Sequence, residues 1–433
     1  MTSRLFQVAC LAATAALDAA SPAPSKAQSL AQRVSSAPNR IVQFSYAARA
    51  GVCGNGRSFI SVGESMYLGS INTVNGVSSE ACVNGPVRVV LSRDGGRITS
   101  IDTYVGPGAT TAGATDLGTV SSREAAEYLI SLAAELEGKP SRDAIIPAVI
   151  ADSANVWQQL LAIARNTDRP TETRRSAISW LGRSTREPAS APADRVVAAL
   201  VELARNTGES QSVRDQALSA LSRMERGEGI PALMELSRGA SEQWLASRLV
   251  RALGRSGDPR ARDYLRELIQ RGSTPEDVRA EAIKGFGKNY ASGADADFLR
   301  GLYPRLEGRG SKEGIIDAVA EIGGRENHDW VLAVARNEQE QPELRRRALR
   351  AAMKSELPSA ELVGLYERMT ERQMKQEVIS ALARRGDKES TDKLVSIARS
   401  DQDPAMRRLA INRLSRTGDT AAVRALREIV EPR

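Results

Sequence analysis

From residue 121 onward the chain repeats itself about every 33 residues, and no other feature limits its fold as strongly. The second half of each unit ends on an apolar landmark: Leu181, Leu221, Leu253, Phe286, Ile322, Ala352, Leu382 and Leu414. Four residues earlier stand Ala177, Ala217, Leu249, Ala282, Ala318, Ala348, Val378 and Ala410. A branched or large residue always follows directly: Ile178, Leu218, Val250, Ile283, Val319, Leu349, Ile379 and Ile411. Apolar positions separated by one, three and four residues form one stripe of an α-helix. The recurrent Ala marks where a neighbouring helix comes too close for a larger side chain. Hydrophobic residues are 41% of the chain but aromatics only 4%, so these stripes are built from aliphatic side chains.

The first half of each unit is equally regular. Leu160–Asn166, Leu200–Asn206 and Val331–Asn337 are near-copies, and Leu394–Ser400 is a fourth. The closing Asn reads as a helix stop, because Asn tolerates the left-handed conformation. Ser122–Glu137 with Ser141–Asp152 reads as a degenerate opening unit. The long interval between Leu181 and Leu221 is accounted for by an insertion, Thr185–Asp194, that contains Pro188 and Pro192.

Three strings stand out: Leu253-Gly254-Arg255-Ser256-Gly257-Asp258, Leu382-Ala383-Arg384-Arg385-Gly386-Asp387 and Leu414-Ser415-Arg416-Thr417-Gly418-Asp419. Apolar-basic pairs open the second helices at Val213-Arg214, Val278-Arg279, Leu344-Arg345, Met374-Lys375 and Met406-Arg407. Unit three has Ala246 there, and unit five (314–324) shows no base. On these residues the array resembles HEAT repeats, in particular the bacterial variety similar to those of phycobiliprotein lyases. The resemblance implies a mainly α fold, a right-handed HEAT/ARM-like α-solenoid over 122–433, with the second helices lining its concave side. Each helix pair buries its apolar stripe only by stacking on its neighbours. Bases such as Arg214 and Arg345 read as a structural ladder, paired with nearby acids and carbonyls.

The N-terminal third differs. Arg4 precedes an apolar run, Leu5 to Leu17, too short to span a bilayer, and Ser25-Lys26-Ala27 follows with small residues at the cleavage positions. Residues 1–27 therefore read as a signal peptide, and the mature protein as exported, periplasmic or extracellular. Removing Cys10 leaves Cys53 and Cys82, an even pair in an oxidising compartment, which predicts one disulfide. Residues 39–106 read as a small β-rich domain with strands at 41–46, 58–62, 87–92 and 98–105. Arg93-Asp94-Gly95-Gly96-Arg97 is its hairpin turn. Residues 107–121 read as a linker. Gly51-Val52-Cys53-Gly54-Asn55-Gly56-Arg57-Ser58 imitates a phosphate loop, but a strand rather than a helix follows it. It reads as a disulfide-anchored turn.

Chemistry is sparse. His328 is the single imidazole, so no Ser-His-Asp or Cys-His arrangement with a second His in reserve is possible. Clustered His and Cys for zinc are missing from the composition. Deoxyhypusine hydroxylase shares the HEAT architecture, but its di-iron site needs repeated His-Glu pairs that this sequence lacks. No bilin pocket is marked either. No cofactor, metal or catalytic residue is therefore expected. The net charge of +7 spreads as +1 over residues 1–27, +2 over 28–120 and +4 over the rest, which argues against nucleic acid. Nor is an integral membrane protein expected. On the concave side a basic-acidic-basic track emerges from Arg248 and Arg251, then Asp317 and Glu321, then Arg347 and Arg350. It is the candidate docking site for a protein partner in the cell envelope, with charge setting register. The expected function is an exported, non-catalytic protein-binding scaffold or adaptor. An envelope enzyme or enzyme accessory with a small-molecule or glycan site is the alternative, and a purely structural envelope component the second.

Overall fold

The computed structural model describes residues 28–63, 67–69, 73–74, 77–78, 82–185, 191–289, 292–354, 357–416, 423 and 427. The expected export signal and Pro188 lie outside the described residues. The chain divides into two compact units, one reaching to Ala154 and one beginning at Asn155.

The first unit opens with α1 (Leu30–Ser36), held by a capping box between Ser29 and Gln32. Strands follow as β1 (Ile41–Tyr46), β2 (Val52–Gly54), β3 (Phe59–Val62), β4 (Tyr67–Gly69), β5 (Thr73–Val74), β6 (Val77–Ser78), β7 (Val87–Asp94), β8 (Arg97–Val105) and β9 (Ala114–Thr119). Three helices close the unit: α2 (Ser122–Glu135), α3 (Gly138–Asp143) and α4 (Ile145–Val149). The main sheet runs β8-β7-β1-β9, with β1 antiparallel to β7 and parallel to β9. Gly95 and Gly96 take positive φ between β7 and β8, as the hairpin signal requires.

Two expectations are corrected in this unit. The stretch 107–121 is not a bare linker, because β9 adds the parallel edge of the sheet beside β1. Its face is mostly exposed and lacks apolar alternation, which hides the strand from a pattern search. Residues 122–149 are likewise no solenoid unit. The Tyr46 hydroxyl donates to the Pro147 carbonyl (2.7 Å), the Arg49 N–H to Ile150 (2.9 Å), and the Phe44 ring lies against Tyr128. Buried aromatics on β1 thus tie these helices to the sheet.

The smaller sheet β2-β3-β4 carries the Cys53–Cys82 disulfide, as expected, spanning 29 residues. The false phosphate loop is a turn whose amides are already taken: Asn55 Oδ1 accepts from the N–H groups of Arg57, Ser58 and Phe59. With so little core around it, the crosslink matters. Cys53→Ser with Cys82→Ser should cost this unit about 3 kcal/mol by the loop-entropy argument. Urea unfolding followed by near-UV circular dichroism would read it, with the second unit unaffected.

The second unit is eight described helix pairs: α5 (Trp157–Arg165) with α6 (Thr171–Leu181), α7 (Ala193–Arg205) with α8 (Gln211–Ser222), α9 (Ile230–Arg238) with α10 (Gln243–Arg255), and α11 (Pro259–Gln270) with α12 (Glu276–Asn289). Then come α13 (Gly293–Leu302) with α14 (Arg309–Ile322), α15 (Arg325–Arg336) with α16 (Pro342–Ala352), α17 (Ser359–Arg368) with α18 (Arg372–Arg385), and α19 (Lys388–Ser400) with α20 (Pro404–Leu414). Every second helix packs against the second helix of the next pair, so these form one continuous inner layer. The closest approach needs glycine: a Cβ on Gly254 or Gly285 would stand 2.8 Å from the other's Cα, between α10 and α12.

Two local readings change. Asn166, Asn206 and Asn337 end their helices with extended rather than left-handed backbone. Their side chains instead accept from the N–H two residues on, in Asp168, Gly208 and Gln339 (2.9–3.1 Å). The landmark of unit five also moves. Ile322 is only half-buried, whereas Ile315, Ile316 and Val319 are fully buried. Val319 stands 33 residues after Phe286 and 33 before Ala352, so it restores an even period. Ile315 and Ile316 then take the places that Ala282 and Ile283 hold in unit four.

Candidate functional site

With Val319 as landmark, the base seven residues before it is Lys312, so unit five is not missing its base. The structure shows what that column does. Arg174, Arg214 and Arg345 donate through Nε to the carbonyls of Ala164, Ala204 and Ala335 (3.0, 3.0 and 3.3 Å) at the ends of the first helices. A cation there meets the negative end of the helix dipole. Their remaining donors reach an acid at the start of the next inner helix: Glu209, Glu242 and Glu371. Lys312 reaches Glu340 (3.1 Å) in the same way. Burial works to raise the Glu340 carboxyl, but the Gln341 N–H, Lys312 and the Tyr303 hydroxyl overcome it and hold it below the ordinary carboxylate range. Arg279 and Arg407 bond to carbonyls at their first helices' ends, those of Arg271 and Asp401 among them, and Arg279 also lies 3.8 Å from Glu276 on its own helix. These bases hold the units together.

A second column of charge lies on the exposed side of the inner layer, where the docking track was expected. Arg251 grips Glu281 through two bonds (2.6 and 3.1 Å), and Arg347 grips Asp317. Arg248 lies 3.6 Å from Asp215, and Arg350 3.6 Å from Glu377. Burial opposes ionisation of Glu281, yet the bond and charge of Arg251 lower its pKa; the hydrogen bond to Asp317 raises that of Arg347. Counted from the corrected landmarks, the residue two before one landmark pairs with the residue five before the next: Arg251–Glu281, Asp317–Arg347 and Arg350–Glu377. Five of the six track residues are thus partnered within the layer, and Glu321 alone is not, among the described residues.

The pairing breaks between α12 and α14. Lys284 stands two before Phe286, but the opposing place is Gly314, which has no side chain to answer it. Ala280, Gly287, Gly310, Gly314 and Ala318 make a floor of small residues, and a groove of about 580 Å³ opens above it. Lys284, Lys288, Glu321 and Lys354 line this groove together with the paired Asp317 and Arg347. The four are exposed and form no ion pair among the described residues. Lys284, Lys288 and Lys354 hold the same places about Phe286 and Ala352 in either register; counting from Ile322 sets Asp317 opposite Lys284, and counting from Val319 is the signal that sets Gly314 there. His328 lies half-buried near the start of α15, beside a separate cleft of about 240 Å³. Among the described residues no helix is long and apolar enough to cross a membrane, and no three His, Cys, Asp or Glu side chains are placed to hold a metal ion.

Comparison with known proteins agrees with this repeat structure. Residues 359–432 match the family of HEAT repeats, and residues 245–271 match the PBS lyase HEAT-like repeat. No curated protein matches the sequence. Among solved structures the chain is similar to human deoxyhypusine hydroxylase, at 16% identity over 56% of this chain and 92% of that one, TM-score 0.28. It is similar to the complex of CpcE and CpcF of phycocyanin lyase from Nostoc, at 14% identity over 63% and 93%, TM-score 0.27. It is also similar to importin beta, at 12% identity over 72% and 55%, TM-score 0.30. No activity or partner passes from these proteins to this chain at such identities.

Proposed function

We propose that the chain is an exported, non-catalytic scaffold or adaptor of the cell envelope that holds a protein segment along the inner layer of its repeats. The observation that carries this reading is the break in the charge pairing over α12, α14 and α16. In the column beside it Arg251–Glu281, Asp317–Arg347 and Arg350–Glu377 neutralise one another across neighbouring units. Over the small-residue floor the groove stands open, and Lys284, Lys288, Glu321 and Lys354 line it without an ion-pair partner among the described residues. A groove of about 580 Å³ with charged side chains along it suits a bound chain segment, whose register the charges would set. The export reading rests on residues 1–27. A photo-crosslinking side chain placed at Lys284 or Lys354 should capture one or two proteins in the cells of origin. The same group at the exposed Asp263 on α11 serves as control. Equal capture at all three positions, or none at the groove, would remove the proposal.

A further inference from the structure

The inner layer carries one more column, two residues after each landmark. In the first three units it reads Arg183, Arg223 and Arg255. In the next three it is Lys288, Glu321 and Lys354, all lining the groove described above. The last two units add Arg384 and Arg416. Seven of eight positions are basic, six of those seven are exposed, and none forms an ion pair among the described residues. Net charge spread evenly along the sequence conceals this line, because its members lie 30 or more residues apart.

A cation near a helix end is favourable in itself, through the dipole. That accounts for a base but not for its going without an acid in seven units, when the column beside it pairs Arg251, Asp317 and Arg350. The first members also stand close enough to repel. Burial, and after it the charge of Arg223, lowers the pKa of Arg183. Arg255 is lowered first by burial, with Arg223 and Arg251 adding to it against Asp215 and Glu281.

Resting on the scaffold reading, we infer that this column is the register strip for an acidic, extended segment of the partner protein. Packed helices lie about 8–10 Å apart. An extended chain of the polyproline II type rises about 3.1 Å per residue with three residues per turn, so acids at every third residue share one face and meet one base per unit. Glu321 decides between this occupant and a uniformly charged linear polyanion. It opposes a charge that such a polymer cannot omit, whereas a polypeptide places a neutral or basic residue there.

The test uses the mature chain and a fluorescein-labelled peptide of about 24 residues with Glu at every third position. Fluorescence anisotropy should show binding that weakens with salt. Arg223→Gln, Arg255→Gln, Lys288→Gln and Lys354→Gln together should weaken it at least about 30-fold, with circular dichroism and Tm unchanged. Glu321→Lys should tighten the all-acid peptide several-fold and weaken one carrying Lys at the matching position. Unchanged affinity in the four-site variant would overturn the inference. So would polyphosphate binding the wild type more tightly than the peptide. If photo-crosslinking at Lys284 captures a partner through a segment without acids, the strip falls and the scaffold reading stands.

Discussion

Val319→Asp should unfold the repeat array around α14, whereas Ile322→Asp should leave it standing. Val319 is fully buried where α14 packs between its neighbours, so a carboxylate there would be taken out of water. Burying an unpaired charge costs more than the stability one repeat can supply, about 4 kcal/mol or more even after the group protonates. Ile322 is half-exposed at the last residue of its helix. An acid there opposes the dipole, at a cost of about 1 kcal/mol. Because repeat arrays need not unfold in one step, hydrogen exchange along α12, α14 and α16 is the suitable measurement. The Val319 variant should lose protection on all three helices and the Ile322 variant only at the end of α14. The opposite ranking would restore Ile322 as landmark, and would remove Lys312 and Glu321 from their columns.

That one shift of three residues shows where the sequence was legible and where it was not. The period, the two helices per unit and the buried stripe could be read because they repeat through aliphatic residues that only a stacked core explains. The register failed in unit five, where Ala318-Val319-Ile322 copies the spacing of Ala282-Ile283-Phe286 as well as Ile315-Ile316-Val319 does. Two apolar stripes fit one helix there, and burial together with the even period separates them. Charge pairing was illegible for a different reason. Arg251 and Glu281 are 30 residues apart, and their meeting depends on the stacking geometry, not on local pattern. Of the expected docking track, Asp317, Glu321 and Arg347 line one groove, and five of the six charges pair within the layer. In the N-terminal unit, Cys53 and Cys82 could be matched by count alone, while β9 had no alternation to betray it.

The buried ladder predicts an effect nearly as large as that of Val319. The side chains of Arg174 and Glu209 are each 6% exposed, and Arg174 also holds the Ala164 carbonyl. Arg174→Leu strips a buried carboxylate of its counter-charge and a helix end of its donor. Removing one partner of such a pair costs about 3–5 kcal/mol. Glu209→Leu alone should cost less, because Arg174 keeps the carbonyl and its long side chain can turn its head toward water. The informative variant is the double one. Replacing both with Leu removes the uncompensated charge, so most of the single-variant loss should return, leaving about 1 kcal/mol for the unbonded carbonyl. Hydrogen exchange in α5 to α8 would separate these cases, the single variant opening both pairs and the double variant closing them again. A double variant no more stable than Arg174→Leu would mean that the column acts through its carbonyl bonds alone. Lys312 and Glu340 would then be the pair to examine next, since among the described residues theirs is the ion pair of the column without a carbonyl bond beside it.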